Sequence, residues 1–144
     1  MHRVNQAVSV LPGLLGQQCV HQNRRMARRR RSIIDRVALA REAEISGDLV
    51  KAERLYRDAI RDRDVHAYNN LAQLLIEDGR LGEGESLFHA GVAAGDGLAA
   101  KNLVLFLLEE GKEIAARKAL TRARKIGHPP TDEEIAAARQ YFSE

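Results

Sequence analysis

The sequence predicts an all-α chain: three helix hairpins in series, followed by one covering helix. Repetition is the first observation behind this. Glycines stand at Gly47, Gly79 and Gly111, two steps of 32 residues, and further columns keep that step: Leu39, Leu71 and Leu103; Ala52, Gly84 and Ala116; Tyr56, Phe88 and Leu120; Ala59, Gly91 and Ala123. Ala40 and Ala72 are followed by Val104 at the matching place. Columns in register across three copies at this period mark a repeat array. The second observation is compositional. With three prolines in 144 residues, two of them adjacent, and a core that must come from Ala, Leu, Ile and Val because Trp is absent, helix is favoured over sheet.

Taken in order, residues 1–31 form a basic arm expected to lack a fixed fold. Seven arginines lie there (Arg3, Arg24, Arg25, Arg28, Arg29, Arg30 and Arg31) and no acid, leaving 16 basic against 20 acidic residues elsewhere. The rest of the chain is therefore net acidic, and the sequence pI of 9.3 describes the arm rather than the body. Ala7–Leu15 is too short an apolar run to span a membrane, and its charges lie on the wrong side for a signal peptide. An Arg-rich, acid-free start resembles a transit peptide in composition, although serine is scarce. Translation from Met26 is an open alternative. The cluster Arg24, Arg25, Arg28, Arg29, Arg30 and Arg31 suits phosphates or an acidic protein surface, or stays solvated. No aromatic is interleaved with it, so a base-stacking platform is not supported.

The body, residues 32–144, divides into copies at about 33–64, 65–96 and 97–128. Ser32 to Asp35 has capping-box spacing and should open the first helix. Leu49, Ala52, Leu55, Tyr56, Ala59 and Ile60 follow helical spacing and form one stripe, as do Leu71, Leu74 and Leu75 and then Leu103, Phe106 and Leu107. The glycine between the two helices of each copy permits a left-handed turn, and Asp48 stands where it caps the next helix. Gly82, Gly84 and Gly91 sit inside one helix, at about 0.5–1 kcal/mol each relative to alanine, which predicts the second helix of copy two as the least protected internal element. Pro129-Pro130 stops the third hairpin. Thr131 to Glu134 is a second capping box for a terminal helix over about 131–142 that covers the last apolar face. Seven helices result.

These columns resemble those of the tetratricopeptide repeat, most closely through Tyr68, Asn70, Leu71, Ala72, Leu75, Gly79 and Phe88. Residues 93–103, Ala-Ala-Gly-Asp-Gly-Leu-Ala-Ala-Lys-Asn-Leu, also look like the junctions of Sel1-like repeats. The resemblance spans residues 33–128 and implies an α-solenoid whose first helices line a concave face. The period is 32 where about 34 is usual, and Arg36 replaces a large apolar residue, so it is expected to reach solvent.

What the resemblance implies about function is peptide or partner-protein binding in that concave groove. By register the face offers Arg41, His66, Asn69, Asn70, Gln73, Glu77, Lys101, Asn102 and Leu105. Asparagine and glutamine suit a peptide backbone because each both donates and accepts. Asn70 and Asn102 share a column, so they either grip a peptide in succession or bridge neighbouring helices. Val37 and Leu98 stand where lysines of a terminal-carboxylate clamp are expected, so a complete clamp is not present. Glu77-Asp78 and Glu109-Glu110 oppose helix dipoles, which suits a cationic peptide, the chain's own arginine arm included, or solvated charge.

No catalytic constellation is legible, and a non-enzymatic scaffold is expected, without cofactor or metal. His2, His21, His66, His89 and His128 lack ligand spacing, the lone Cys19 excludes an internal disulfide, and the glycines follow no strand. The alternative is a nucleic-acid-associated regulator whose arm contacts phosphate, aided by Arg117, Lys118, Arg122, Arg124 and Lys125, while the repeats recruit a protein. A cytoplasmic location is expected, and self-association through an exposed end stays open.

Overall fold

A computed structural model describes residues 36–141, and all regular structure in them is helical. The basic arm, the Ser32–Asp35 box, Met26 and Phe142 lie outside the described residues. Among the described residues seven helices follow in order: α1 at residues 36–45, α2 Leu49–Arg61, α3 His66–Glu77, α4 Leu81–Ala93, α5 Gly97–Glu109, α6 Glu113–Ile126 and α7 Asp132–Tyr141. Successive helices from α2 to α6 pack on one another, and α3 packs on α5 and α5 on α7.

Each helix from α1 to α6 ends in the same way. The positions 47, 63, 79, 95, 111 and 127, a step of 16 residues, all have positive φ, between 66° and 87°. At Gly79, for example, the N–H reaches the Ile76 carbonyl at 2.9 Å while the Arg80 N–H reaches the Leu75 carbonyl at 2.8 Å. This double bond pattern consumes carbonyls the helix end would leave unpaired. Five of the six positions are glycine; Arg63 is the exception. The last helix before the proline pair therefore stops at Gly127, with His128 N–H bonded to the Ala123 carbonyl at 3.0 Å, before Pro129 is reached.

Caps start the helices where the sequence supplies them. Asp48 accepts from Lys51 N–H at 3.1 Å, and Asp96 from Leu98 N–H at 2.9 Å. Thr131 and Glu134 bond reciprocally, Thr131 N–H to Glu134 Oε2 at 2.8 Å and Glu134 N–H to Thr131 Oγ1 at 3.2 Å. That pair is the reciprocal capping arrangement expected from their spacing.

The repeated columns are the core. Ala40, Ala72 and Val104 are buried, as are Ala52, Gly84 and Ala116, Ala59, Gly91 and Ala123, and the large Tyr56 and Phe88. Two clusters divide the interior, one from α1 to α3 and one from α3 to α7, and Leu87 touches both. Gly84 and Gly91 mark close approaches. A Cβ at Gly84 would lie 2.4 Å from Ile76 Cγ1 and 2.9 Å from the Ala72 carbonyl oxygen; one at Gly91 would lie 2.7 Å from Ala99 Cβ. These two glycines admit neighbouring helices, so the helix-glycine cost falls on Gly82 alone, which has nothing within 4 Å. Leu39 departs from its column. Leu71 and Leu103 are buried, but Leu39, on the first described helix, is 47% exposed. Arg36 is half-exposed and ion-paired with Asp62, which is how an arginine is accommodated at this end.

Candidate functional site

The odd-numbered helices are tied by side chains at a fixed interval. Asn102 Nδ2 donates to Asn69 Oδ1 at 2.7 Å, joining α5 to α3, and Lys101 Nζ donates to Glu134 Oε1 at 2.8 Å, joining α5 to α7. Both partners are 33 residues apart. Applied to α1, the same step relates Val37 to Asn70. Val37 is partly buried against the core and has no polar atom to offer. Asn70 accordingly makes no side-chain hydrogen bond with any described residue, while its column-mate Asn102 is engaged.

Beside Asn70 lies a groove of about 610 Å³ between α1 and α3, with α2 contributing to its wall. Arg41, Glu44 and Ile45 come from α1, Leu49 and Tyr56 from α2, and Asn70, Gln73, Leu74, Glu77 and Asp78 from α3 and its cap. Helical spacing puts residues 70, 73, 74 and 77 on one face of α3. Tyr56 is fully buried, and its hydroxyl donates to Glu44 Oε2 at 2.8 Å. Burial first, and the adjacent Glu44 carboxylate second, push the Tyr56 phenol above its ordinary value, so it remains a donor that fixes Glu44. Ile45, 88% exposed, and Leu49, 45% exposed, give the groove an apolar wall. Glu44, Glu77 and Asp78 outnumber Arg41 among the charged lining residues.

Four of the nine residues expected on the concave face meet here: Arg41, Asn70, Gln73 and Glu77. The other five lie elsewhere. Asn69 is 1% exposed and donates to Gln73 Oε1 at 3.4 Å, besides accepting from Asn102. Lys101 and Asn102 are committed to Glu134 and Asn69. His66 sits at the start of α3, exposed, with Nδ1 3.9 Å from Asp96 Oδ1. Leu105 is half-buried against the core. Leu49, placed by periodicity on one stripe with Ala52, Tyr56 and Ala59, lines the groove. Glu44, Ile45 and Tyr56 were not among the expected contact residues. A signal for two of the lining residues existed: Ile45 and Leu49 are large apolar residues flanking a turn glycine, where burial is hard to achieve.

On α6, Arg117, Lys118, Arg122, Arg124 and Lys125 are all exposed. No group of three or more His, Cys, Asp or Glu among the described residues is placed to hold a metal ion, and no described helix is long and apolar enough to cross a membrane. Comparisons with protein-family models, curated proteins and solved structures give no match to this chain.

Proposed function

We propose that this chain is a short α-solenoid of tetratricopeptide-like hairpins that binds an extended peptide segment of a partner protein in the groove between α1 and α3. One observation carries the reading: among the described residues the regular bridge between odd helices is missing at this step, leaving Asn70 without a side-chain hydrogen bond beside a groove with an apolar wall. The volume lies in the range of about 300–1,000 Å³ common for ligand clefts. Asn70 and Gln73 suit the peptide N–H and C=O groups, Ile45 and Leu49 one apolar side chain, and Arg41, Glu44 and Glu77 the ligand's charges. The tetratricopeptide reading is supported by the buried small columns and the left-handed glycines at a 32-residue step. The role is one of holding a partner, without chemistry of its own.

Panning a random peptide library against the full chain tests this. Selected peptides should lose about 1–3 kcal/mol of affinity on the double change Asn70→Ala and Gln73→Ala, as expected for two lost hydrogen bonds. Binders indifferent to both changes would place recognition elsewhere.

A further inference from the structure

Three carboxylates line the groove, Glu44, Glu77 and Asp78, against one cationic lining residue, Arg41. Glu77 and Asp78 close α3, and Glu109 and Glu110 close α5; neither helix has a basic residue in its last turn. None of the four forms an ion pair with a described residue. They sit at the negative ends of helix dipoles, where a cation is favoured. Burial, then the neighbouring Glu110, pushes the Glu109 carboxyl above its ordinary value. Of the four, Glu77 and Asp78 line the groove, together with Glu44 from the last turn of α1.

The matching charge is in the chain itself, where six arginines fall within residues 24–31 and no acid lies in residues 1–31. Reach is sufficient. Residue 36 stands at the opposite end of α1 from Ile45, a separation of about 15 Å at 1.5 Å per residue. Residues 24–35 can extend over about 40 Å. Tethering also raises the local concentration of the arm at the groove to about the millimolar range, with no cost of bimolecular encounter.

From this complementarity we infer that the groove's internal occupant is the chain's own arginine segment, Arg24 to Arg31, held by Glu44, Glu77 and Asp78. The inference rests on the groove being a peptide site. It makes the arm a competitive latch: a partner peptide enters by displacing it, and anything that binds the arm, phosphate polymers included, frees the groove.

The single cysteine permits a direct test on the full chain. A nitroxide on Cys19, five residues before Arg24, should broaden the NMR signals of the Asn70 and Gln73 side-chain amides and spare the Ser86 amide on α4. The broadening should disappear in Glu44→Gln/Glu77→Gln/Asp78→Asn. It should also disappear in Arg28→Gln/Arg29→Gln/Arg30→Gln/Arg31→Gln, which leaves every described residue untouched. Added salt should release it too, since screening shortens from about 30 Å at 0.01 M to about 3 Å at 1 M. Absent broadening, equal broadening at Ser86, or broadening that survives both neutralised variants overturns the latch. A selected peptide added to the same samples separates the two readings. If it shifts Asn70 and Gln73 while the label leaves them unchanged, the latch alone fails; if no selected peptide reaches them, the peptide-site reading fails.

Discussion

At the scale of single residues, the backbone conformation sorts the exposed turn and helix positions into opposite predictions. Arg63 holds a left-handed conformation that costs a non-glycine residue about 1–2 kcal/mol, partly offset by the extra unfolded-state freedom of glycine. Arg63→Gly should therefore raise stability by about 0.5–1 kcal/mol in urea unfolding. Gly82→Ala should do likewise, because its added methyl meets nothing and helix propensity improves by about 0.5–1 kcal/mol. Gly84→Ala should cost about 1–3 kcal/mol, since the Ala72 carbonyl it meets is backbone and cannot rotate away. Sequence reading grouped Gly82, Gly84 and Gly91 as equal liabilities. Propensity is a local property and was legible; the closeness of α3 and α5 to α4 is not local, and only the packed structure separates the three. Arg63 was illegible for the converse reason, because a turn imposed by its neighbours hides behind an ordinary residue.

At the scale of elements, α7 is attached to α5 through Lys101 and Glu134. The Lys101 ammonium first, and the Thr131 N–H second, hold the Glu134 carboxyl below its ordinary value of 4.5. A carboxyl depressed on folding stabilises the folded state above its unfolded value and loses that contribution as pH falls through the folded one. The thermal midpoint of Glu134→Gln should thus lie below that of the parent at pH 7, and the gap should close as the pH falls through the depressed Glu134 value, below the ordinary 4.5. A gap independent of pH would mean that Glu134 acts only through packing. Glu109 has the opposite sign. Its carboxyl is raised by burial, so protonation favours the fold, and Glu109→Gln should stabilise the chain at neutral pH. Helix number, the turn glycines at 47, 79 and 111, and the Thr131–Glu134 box could all be read from spacing, which fixes which face of a helix a residue occupies. Spacing does not say whether a neighbour fills that face. That is why Asn69 and Asn102, placed on the contact face by register, turned out to bond each other.

At the scale of the whole molecule, one irregularity interrupts an otherwise regular series. The α3–α5 and α5–α7 steps are bridged at 33 residues, and the α1–α3 step is not, because Val37 stands where Asn69 and Lys101 stand later. Supplying the missing partner should close the site. Val37→Asn should pair with Asn70, as Asn69 does with Asn102, and weaken binding of a selected peptide while leaving the helical content unchanged by circular dichroism. A variant that binds as tightly as the parent would show that Asn70 does not need to be free. The same irregularity also explains why four of the nine expected contact residues meet and three of the other five do not. Asn69, Lys101 and Asn102 are engaged in bridging, whereas Arg41, Asn70, Gln73 and Glu77 line the unbridged step; His66, at the exposed start of α3, and Leu105, packed on the core, lie outside it for reasons of their own.

The most direct measurement is NMR mapping of a selected peptide on the full chain, because the molecule has a second cavity to serve as its control. Between α2 and α4, on another face of α3, a cavity of about 490 Å³ is lined by Ile60, Leu71, Leu75, Ser86 and Leu87 among others. A peptide held in the α1–α3 groove should shift the Asn70 and Gln73 side-chain amides and the Ile45, Leu49 and Leu74 methyls, with Leu71, Leu75 and Leu87 unmoved. Shifts confined to the α2–α4 cavity, with Asn70 and Gln73 silent, would contradict that placement.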